Sequence, residues 1–196
     1  MSRTDDPAPI LRKLDGGGDT LELLFNIVSP ARVAALAADP RLARIRTLVL
    51  HDNRLGDAGL AALVAAPGLA LERLAVRRNG IGRAGLAALA AWPGLAGVRS
   101  LDLAENPLGD DALAPLVASP HLAALRVLGL TKVDGALDAL LELPVLDQLT
   151  ELDLSGNHLS DRHRAIFDWD RQGVEQIPAS DLAIALRRIL GPRLKL

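Results

Sequence analysis

The sequence has no cysteine and very few aromatic residues. Without cysteine the chain can form neither disulfides nor thiolate metal sites, and it has no cysteine nucleophile. Aromatic residues make up 2% of the chain, whereas hydrophobic residues as a whole make up 49%. A core of this composition must be built from Leu, Val and Ala in regular packing. The hydrophobic share also excludes a disordered chain.

Excess charge and long apolar runs are also missing. The formal net charge is −2, so the chain lacks the basic excess that a general nucleic-acid or anionic-membrane binder needs. No apolar run reaches the roughly 20 residues of a membrane span. Residues 1–19 contain no apolar segment of the kind found in a secretory signal. We therefore expect a cytoplasmic protein that binds neither nucleic acid nor membranes.

What the sequence does contain is a repeated unit, best formed over residues 48–69. Leu48 and Leu50 have the spacing of a short strand, and Asn53 follows them. Leu60 and Leu63 have the spacing of a short helix, for which Asp57 is the expected N-cap. One such unit cannot bury both its strand face and its helix face. It must therefore stack on copies of itself.

Copies of this unit recur at intervals of 26 to 27 residues, with one interval of 24. The strand positions are Leu48/Leu50, Leu74/Val76, Leu101/Leu103, Leu128/Leu130 and Leu152/Leu154. The turn asparagines are Asn53, Asn79, Asn106 and Asn157. The helix positions are Leu60/Leu63, Leu86/Leu89, Leu113/Leu116 and Leu137/Leu140, and the closing prolines are Pro67, Pro93, Pro120 and Pro144. Counted from Leu48, the sequence therefore holds five repeats.

Two regions depart from this pattern. Residues 21–28 keep the frame and Pro30 suits a first helical position, which indicates a degenerate repeat before Leu48; the alternative is a single helix over 20–28. In the fourth repeat the asparagine is missing and the turn is shortened to Val133–Ala136. We expect the stack to tighten or bend at that turn.

Both ends of the chain are expected to cover the stack. Ile10, Leu11 and Leu14 can close the first repeat, although a frayed tail is an equally good interpretation. After Asn157 the periodicity is lost, an irregular loop is expected over 171–180, and a helix over 182–190 ends at Gly191. Residues 194–196 are expected to add a last short strand. The two tryptophans are Trp92 and Trp169. We expect them to pack at a repeat edge or under a cap, and the alternative is that they are exposed contact residues.

The frame L-x-x-L-x-L-x-x-N-x-L with its helical half resembles the leucine-rich repeat. The half that reads G-D-x-G-L-x-A-L is similar to the ribonuclease-inhibitor-like class and to bacterial repeats of this kind, over about residues 21–160. The resemblance implies an α/β solenoid, a horseshoe with parallel strands on its concave face and short α-helices on its convex face. It divides the chain into an N-terminal tail or cap (1–19), about six repeats (20–160) and a C-terminal cap (161–196).

In such a fold, function is expected on the concave face, at positions between and just after the frame leucines. Charge is banded there, with a basic second repeat and acidic third and fifth repeats. The small residues Ala75, Gly129 and Ser155 are expected to leave room for a partner's side chains. The alternative is an ordinary solvated sheet whose charges pair across strands. The predicted partner-binding residues are His51, Asp52, Arg73, Arg77, Arg78, Asp102, Glu105, Lys132, Glu151 and Asp153.

No motif in the sequence indicates catalysis. The asparagines are interpreted as structural, since an amide in the turn can bond backbone groups. The histidines lack metal-ligand spacing and are expected at the surface. The serines lack a G-x-S-x-G context, and Gly16–Gly18 lacks the Lys-Ser/Thr of a phosphate loop. We therefore expect no metal, no cofactor and no small-molecule substrate.

The sequence thus predicts a non-enzymatic module that binds a protein partner on its concave face. Its Leu, Ala and Arg content is typical of a bacterial source. The alternatives are a bacterial leucine-rich-repeat effector that acts inside a host, and a regulator of an enzyme. By analogy, such an effector needs an additional adaptor-binding segment, which we do not expect the few residues before Leu21 to supply.

Overall fold

The computed structural model describes residues 6–24, 30–109, 111–133, 138–157, 186 and 189–195. Some predicted features lie outside these residues. They are the turn after Val133, the second pair of histidines (His158 and His163), Trp169, the loop over 171–180 and most of the helix over 182–190.

The strands form one open sheet in which all neighbours are parallel and follow chain order. The first frame leucine of each strand lies beside that of the next, as in Leu48 and Leu74. The predicted α/β solenoid of strand–helix repeats is therefore confirmed. The strands are β1 (Thr20–Glu22), β2 (Thr47–Val49), β3 (Arg73–Ala75), β4 (Ser100–Asp102), β5 (Val127–Gly129), β6 (Glu151–Asp153) and β7 (Leu194–Lys195).

Helices return the chain from the end of one strand to the start of the next. Among the described residues, the α-helices with defined bounds are α1 (Ala8–Leu11), α2 (Pro30–Ala38), α3 (Gly56–Val64), α4 (Arg83–Ala91) and α5 (Ala114–Val117). The 3-10 helices are Arg12–Gly16, Pro40–Arg44, Pro93–Gly97, Asp138–Glu142, Leu146–Gln148 and Gly191–Arg193. Helices α2 to α4 have nine residues each, but α5 has four, and the α-helix predicted around Leu140 is a 3-10 helix.

The ends of the described sheet differ from its middle. Strand β1 pairs with β2, which rules out a single helix over 20–28. Ile10 and Leu14, from the segment before β1, are buried in the same core as the repeats. The Lys13 ammonium donates to the Glu22 carbonyl at 3.1 Å. At the other end, the predicted last strand is present as β7.

The core is a single cluster of apolar side chains that runs through the stack. Its frame leucines are almost completely buried, and each contributes roughly 1.5–3 kcal/mol through burial. Trp92 belongs to this core with 8% of its surface exposed, so it is not an exposed contact residue. Its indole ring occupies the space beside Gly94, because a Cβ atom at that position would overlap the ring.

Asp57 does not cap its helix, contrary to the prediction. Helix α3 already begins at Gly56 and follows Leu55, which has no side-chain acceptor. The Asp57 carboxylate instead accepts the Gly82 N–H at 2.6 Å, just before helix α4. A Cβ atom at Gly85 would lie 2.6 Å from the same carboxylate, so the glycine is required there. Asp57 thus connects two neighbouring repeats.

A ladder of asparagines fills the turns that follow the strands. The Oδ1 atom of Asn79 accepts the backbone N–H groups of Asn53 (3.2 Å) and Leu55 (3.3 Å) in the preceding repeat. Its Nδ2 group donates to the carbonyls of Leu50 and Arg77. Asn53, Asn79 and Asn106 are at most 1% exposed. The structural interpretation of these asparagines is therefore confirmed.

The ladder is interrupted at Val133, which occupies the asparagine position of the fourth repeat. Val133 is buried, but its side chain has no amide that could accept the Leu108 N–H. That N–H instead donates to the Asn106 carbonyl at 2.8 Å. One repeat further on, Asn157 accepts the Val133 N–H at 2.7 Å. The short helix α5 and the following 3-10 helix occupy the return segments on either side of this gap.

We predict that Asn79→Ala lowers the free energy of unfolding by more than about 3 kcal/mol, because several buried backbone groups lose their partners at about 1–3 kcal/mol each. The matched control is Asn157→Ala, since Asn157 is only part-buried. Urea unfolding should show a smaller loss for that variant. Equal losses would contradict the dependence on burial.

Candidate functional site

The strands present three rows of side chains on the sheet face opposite the core, because side chains alternate along a strand. We call this surface the outer sheet face. The first row is Thr20, Thr47, Arg73, Ser100, Val127 and Glu151. The second row is Glu22, Val49, Ala75, Asp102, Gly129, Asp153 and Lys195. The third row is Leu24, His51, Arg77, Ala104, Thr131 and Ser155.

A fourth row lies at the edge of this face, where the chain leaves the strands. We call Asp52, Arg78, Glu105, Lys132 and Gly156 the rim row. All five have a left-handed backbone, with φ between +49° and +68°. This conformation favours glycine, yet four of the five positions carry a charged side chain.

The structure thus places all ten predicted residues on the outer sheet face or its rim. Arg73 and Glu151 lie in the first row, Asp102 and Asp153 in the second, and His51 and Arg77 in the third. The other four belong to the rim row. That these residues bind a partner remains a prediction.

Ion pairs connect part of this set. The Arg78 Nε atom lies 3.3 Å from Asp52 Oδ1 and 3.2 Å from Glu105 Oε2. Arg77 pairs with the other Glu105 oxygen. Burial alone would raise the pKa of Glu105, but the hydrogen bond from Arg77 and the nearby positive charges outweigh it and lower the pKa. The alternative prediction, pairing across strands, therefore describes these four residues.

The space expected beside two small residues is not available. Ala75 is 1% exposed, so neighbouring atoms already cover it. At Gly129 a Cβ atom would lie 3.0 Å from the Asp102 carboxylate, which occupies that position. The same Asp102 carboxylate accepts the Ala104 N–H at 2.9 Å. Ser155 is half-buried and donates from its hydroxyl to Asp153 at 2.6 Å.

Four stretches of the chain match a family model described as Leucine Rich repeat. They are residues 45–64, 71–90, 98–117 and 149–162. The chain carries leucine-rich repeats. The first three stretches each include a strand, its turn asparagine and the start of the return helix. Leucine-rich repeats generally mediate protein–protein interaction. A search of curated proteins found no match to the chain.

The last leucine-rich repeat gains a charged residue that the sequence prediction missed. Lys195, on β7, lies 2.6 Å from the Glu151 carboxylate through its ammonium group. Burial would raise the pKa of Asp153, but hydrogen bonds from Ser155 and Thr131 and the charge of Lys195 together lower it. The spacing of Leu194 and Leu196 is the signal that could have placed Lys195 in the second row.

A series of arginines before the strands was also missed. The motif R-x-L-x-L occurs in three of the leucine-rich repeats, with Arg46, Arg99 and Arg126 in its first position. Arg46 donates to the Ala70 carbonyl at 2.6 Å, and Arg126 donates to the Leu125 carbonyl at 2.7 Å. Two of the three therefore support the turns that lead into the strands.

Two residues of the outer sheet face have polar groups without an ion pair or hydrogen bond in the described part of the chain. Arg73 is exposed and makes no ion pair within the described residues. His51 is half-buried rather than fully at the surface, and its Nδ1 atom has no hydrogen-bond partner in that part of the chain. Over the same residues, no group of three or more His, Asp or Glu side chains could hold a metal ion.

The membrane prediction can be compared with the helices directly. In the part of the chain that the structure describes, no helix combines the length and the apolar character needed to cross a membrane.

We predict that Arg77→Ala raises the pKa of Glu105 towards its ordinary value, because the hydrogen bond and the nearest charge are removed. In the folded protein the pKa of Glu105 lies below its ordinary value. The ion pair therefore stabilises the fold when the pH is above the ordinary pKa, and this stabilisation is lost as the pH falls through the pKa of the folded state. An NMR titration of the Glu105 carboxyl measures the change. Arg73→Ala is the control, and an equal rise there would contradict the assignment.

Proposed function

We propose that this leucine-rich-repeat chain is a non-enzymatic binding module whose outer sheet face holds a protein partner. The observation that carries the proposal is the collection of ten predicted residues, from five repeats, on one continuous face and its rim. The core leucines and turn asparagines are committed to the fold. The residues between them vary from repeat to repeat, and those that are exposed are available for recognition.

The charges on this face define the partner it would suit. Arg73 offers an exposed cation with no ion pair in the described chain. Asp102 and Asp153 offer carboxylates whose neighbours are mainly hydroxyl and backbone groups. A complementary partner would place an acidic group over the third strand and basic groups over the fourth and sixth. Complementarity of this kind determines specificity and association rate more than affinity.

Several finer features belong to the same proposal. We place the repeats in the ribonuclease-inhibitor-like class because of the G-D-x-G-L-x-A-L half, and we propose a bacterial source and a cytoplasmic location. A net charge of −2 supports a protein partner rather than nucleic acid or an anionic membrane. A partner that is itself an enzyme would make the chain its regulator through the same face.

We predict that the double variant Arg73→Glu/Asp102→Lys loses the partner, because it reverses two charges of the outer sheet face without changing the net charge. Tagged wild-type chain should capture a stoichiometric partner from its native source, identified by mass spectrometry. The purified partner should then bind the variant at least about tenfold more weakly, since opposed like charges cost several kcal/mol.

The matched control is Arg83→Glu/Glu142→Lys, which makes the same charge changes at exposed positions on return helices. It should bind like the wild type, and circular dichroism should show that both variants are folded. Equal binding by the wild type and both variants would contradict a role for this face.

A further inference from the structure

The rim row has a regular charge pattern over four consecutive strands. Its signs alternate as Asp52 negative, Arg78 positive, Glu105 negative and Lys132 positive. The backbone N–H groups of these residues continue the ladder of the sheet, as in the bond from Arg78 to the Ala104 carbonyl at 3.1 Å. The backbones of successive rim positions are therefore spaced by about 4.8 Å, the distance between neighbouring strands. The row as a whole is neutral.

Stability of the single chain does not account for this pattern. A side chain in the left-handed conformation costs roughly 1–2 kcal/mol, and Gly156 occupies the equivalent position in the next repeat at no such cost. The ion pairs of the half-exposed Arg78 with Asp52 and Glu105 return only about 0–1 kcal/mol each. Lys132 has no ion pair in the described chain to offset its backbone cost.

We propose that the rim row is a docking surface for a second copy of this chain, related by a two-fold axis. A row of four alternating charges becomes its own complement when it is read in reverse. Asp52 then faces Lys132 of the second copy, and Arg78 faces Glu105 of the second copy. The two-fold axis repeats both contacts, so all four positions meet an opposite charge. Such a self-complementary patch is the requirement for an isologous dimer.

The charge pattern disfavours other ways of aligning the rim rows of two copies. If two rows run parallel in register, every residue faces its own like charge. If antiparallel rows slip by one repeat, Asp52 faces Glu105 of the second copy and the remaining contacts are also between like charges. A foreign partner would need alternating charges at a matching spacing. A second copy carries both the spacing and the signs.

The two cations of this contact are accessible, whereas the Asp52 and Glu105 side chains are 23% and 18% exposed. The Arg78 side chain is 54% exposed although it already contacts two carboxylates. Lys132 is exposed and makes no ion pair within the described chain. The contact area of one rim is small, and a small interface gives a transient dimer. Its strength should fall with added salt, because the charges are near the surface.

The dimer and the outer-face partner are tested at different residues, although both proposals include the rim row. The dimer test changes rim residues, whereas the double variant that tests the partner changes residues of the first and second rows. Loss of one interaction therefore leaves the other measurable.

The test uses two single variants that are complementary to each other. Arg78→Glu and Glu105→Arg each place like charges opposite one another in two of the four contacts of a self-paired dimer. Each variant alone should therefore self-associate at least about tenfold more weakly than the wild type in low-salt sedimentation velocity. In an equimolar mixture all four contacts again join opposite charges, so association should return to the wild-type level.

Recovery in the mixture also shows that neither variant failed to fold. Arg83→Glu is the matched control on helix α4, with the same charge change away from the rim, and it should associate like the wild type. The proposal is overturned by a wild-type chain that stays monomeric up to about millimolar concentration. It is also overturned if the mixture of variants remains monomeric, or if Arg83→Glu weakens association to the same extent.

Discussion

The structure depends on how buried backbone groups are satisfied where each strand ends. The chain turns there inside the protein, and an unpaired N–H or carbonyl in that place is costly. The amide of one asparagine accepts two N–H groups of the preceding repeat and donates to carbonyls of both repeats. Each repeat therefore completes the turn of its neighbour. This makes the stack, rather than the single repeat, the unit that can fold.

The same constraint separates positions fixed by the fold from positions free to vary. Frame leucines and turn asparagines have no freedom, whereas the outer rows can carry any side chain that tolerates its neighbours. Val133 departs from the rule, since it gives no side-chain amide to the turn of the preceding repeat, and the nearby return segments are shorter than the nine-residue helices. Strand pairing continues through this repeat, so the sheet and the turn ladder are distinct sources of cohesion.

Periodicity in the sequence was sufficient to predict the architecture. Leucine spacing gave the strands, the recurring asparagine gave the turns, and even the degenerate repeat at β1 followed from the frame. Asp57 was assigned wrongly because a cap depends on the residue at which a helix begins, and a shift of one position moved its carboxylate to the next repeat. The 3-10 helix around Leu140 was missed because the spacing of leucines does not show which helix type a shortened segment adopts.

The candidate site was predicted less well, because it depends on contacts between repeats. Spacing placed ten residues on one face, but it could not show that the Asp102 carboxylate occupies the space beside Gly129. It also could not show which charges pair, because Arg77 and Arg78 are adjacent in sequence but contact different sets of carboxylates. The strand of Lys195 was predicted, but its register with β6 could not be inferred because a long stretch without the repeat frame precedes it.

The contact between Trp92 and Gly94 has a consequence for substitution at these positions. Because the indole ring fills the space that a side chain at residue 94 would need, the residue tolerated at position 94 depends on position 92. An alanine at residue 94 needs either a displaced ring or a smaller residue at position 92.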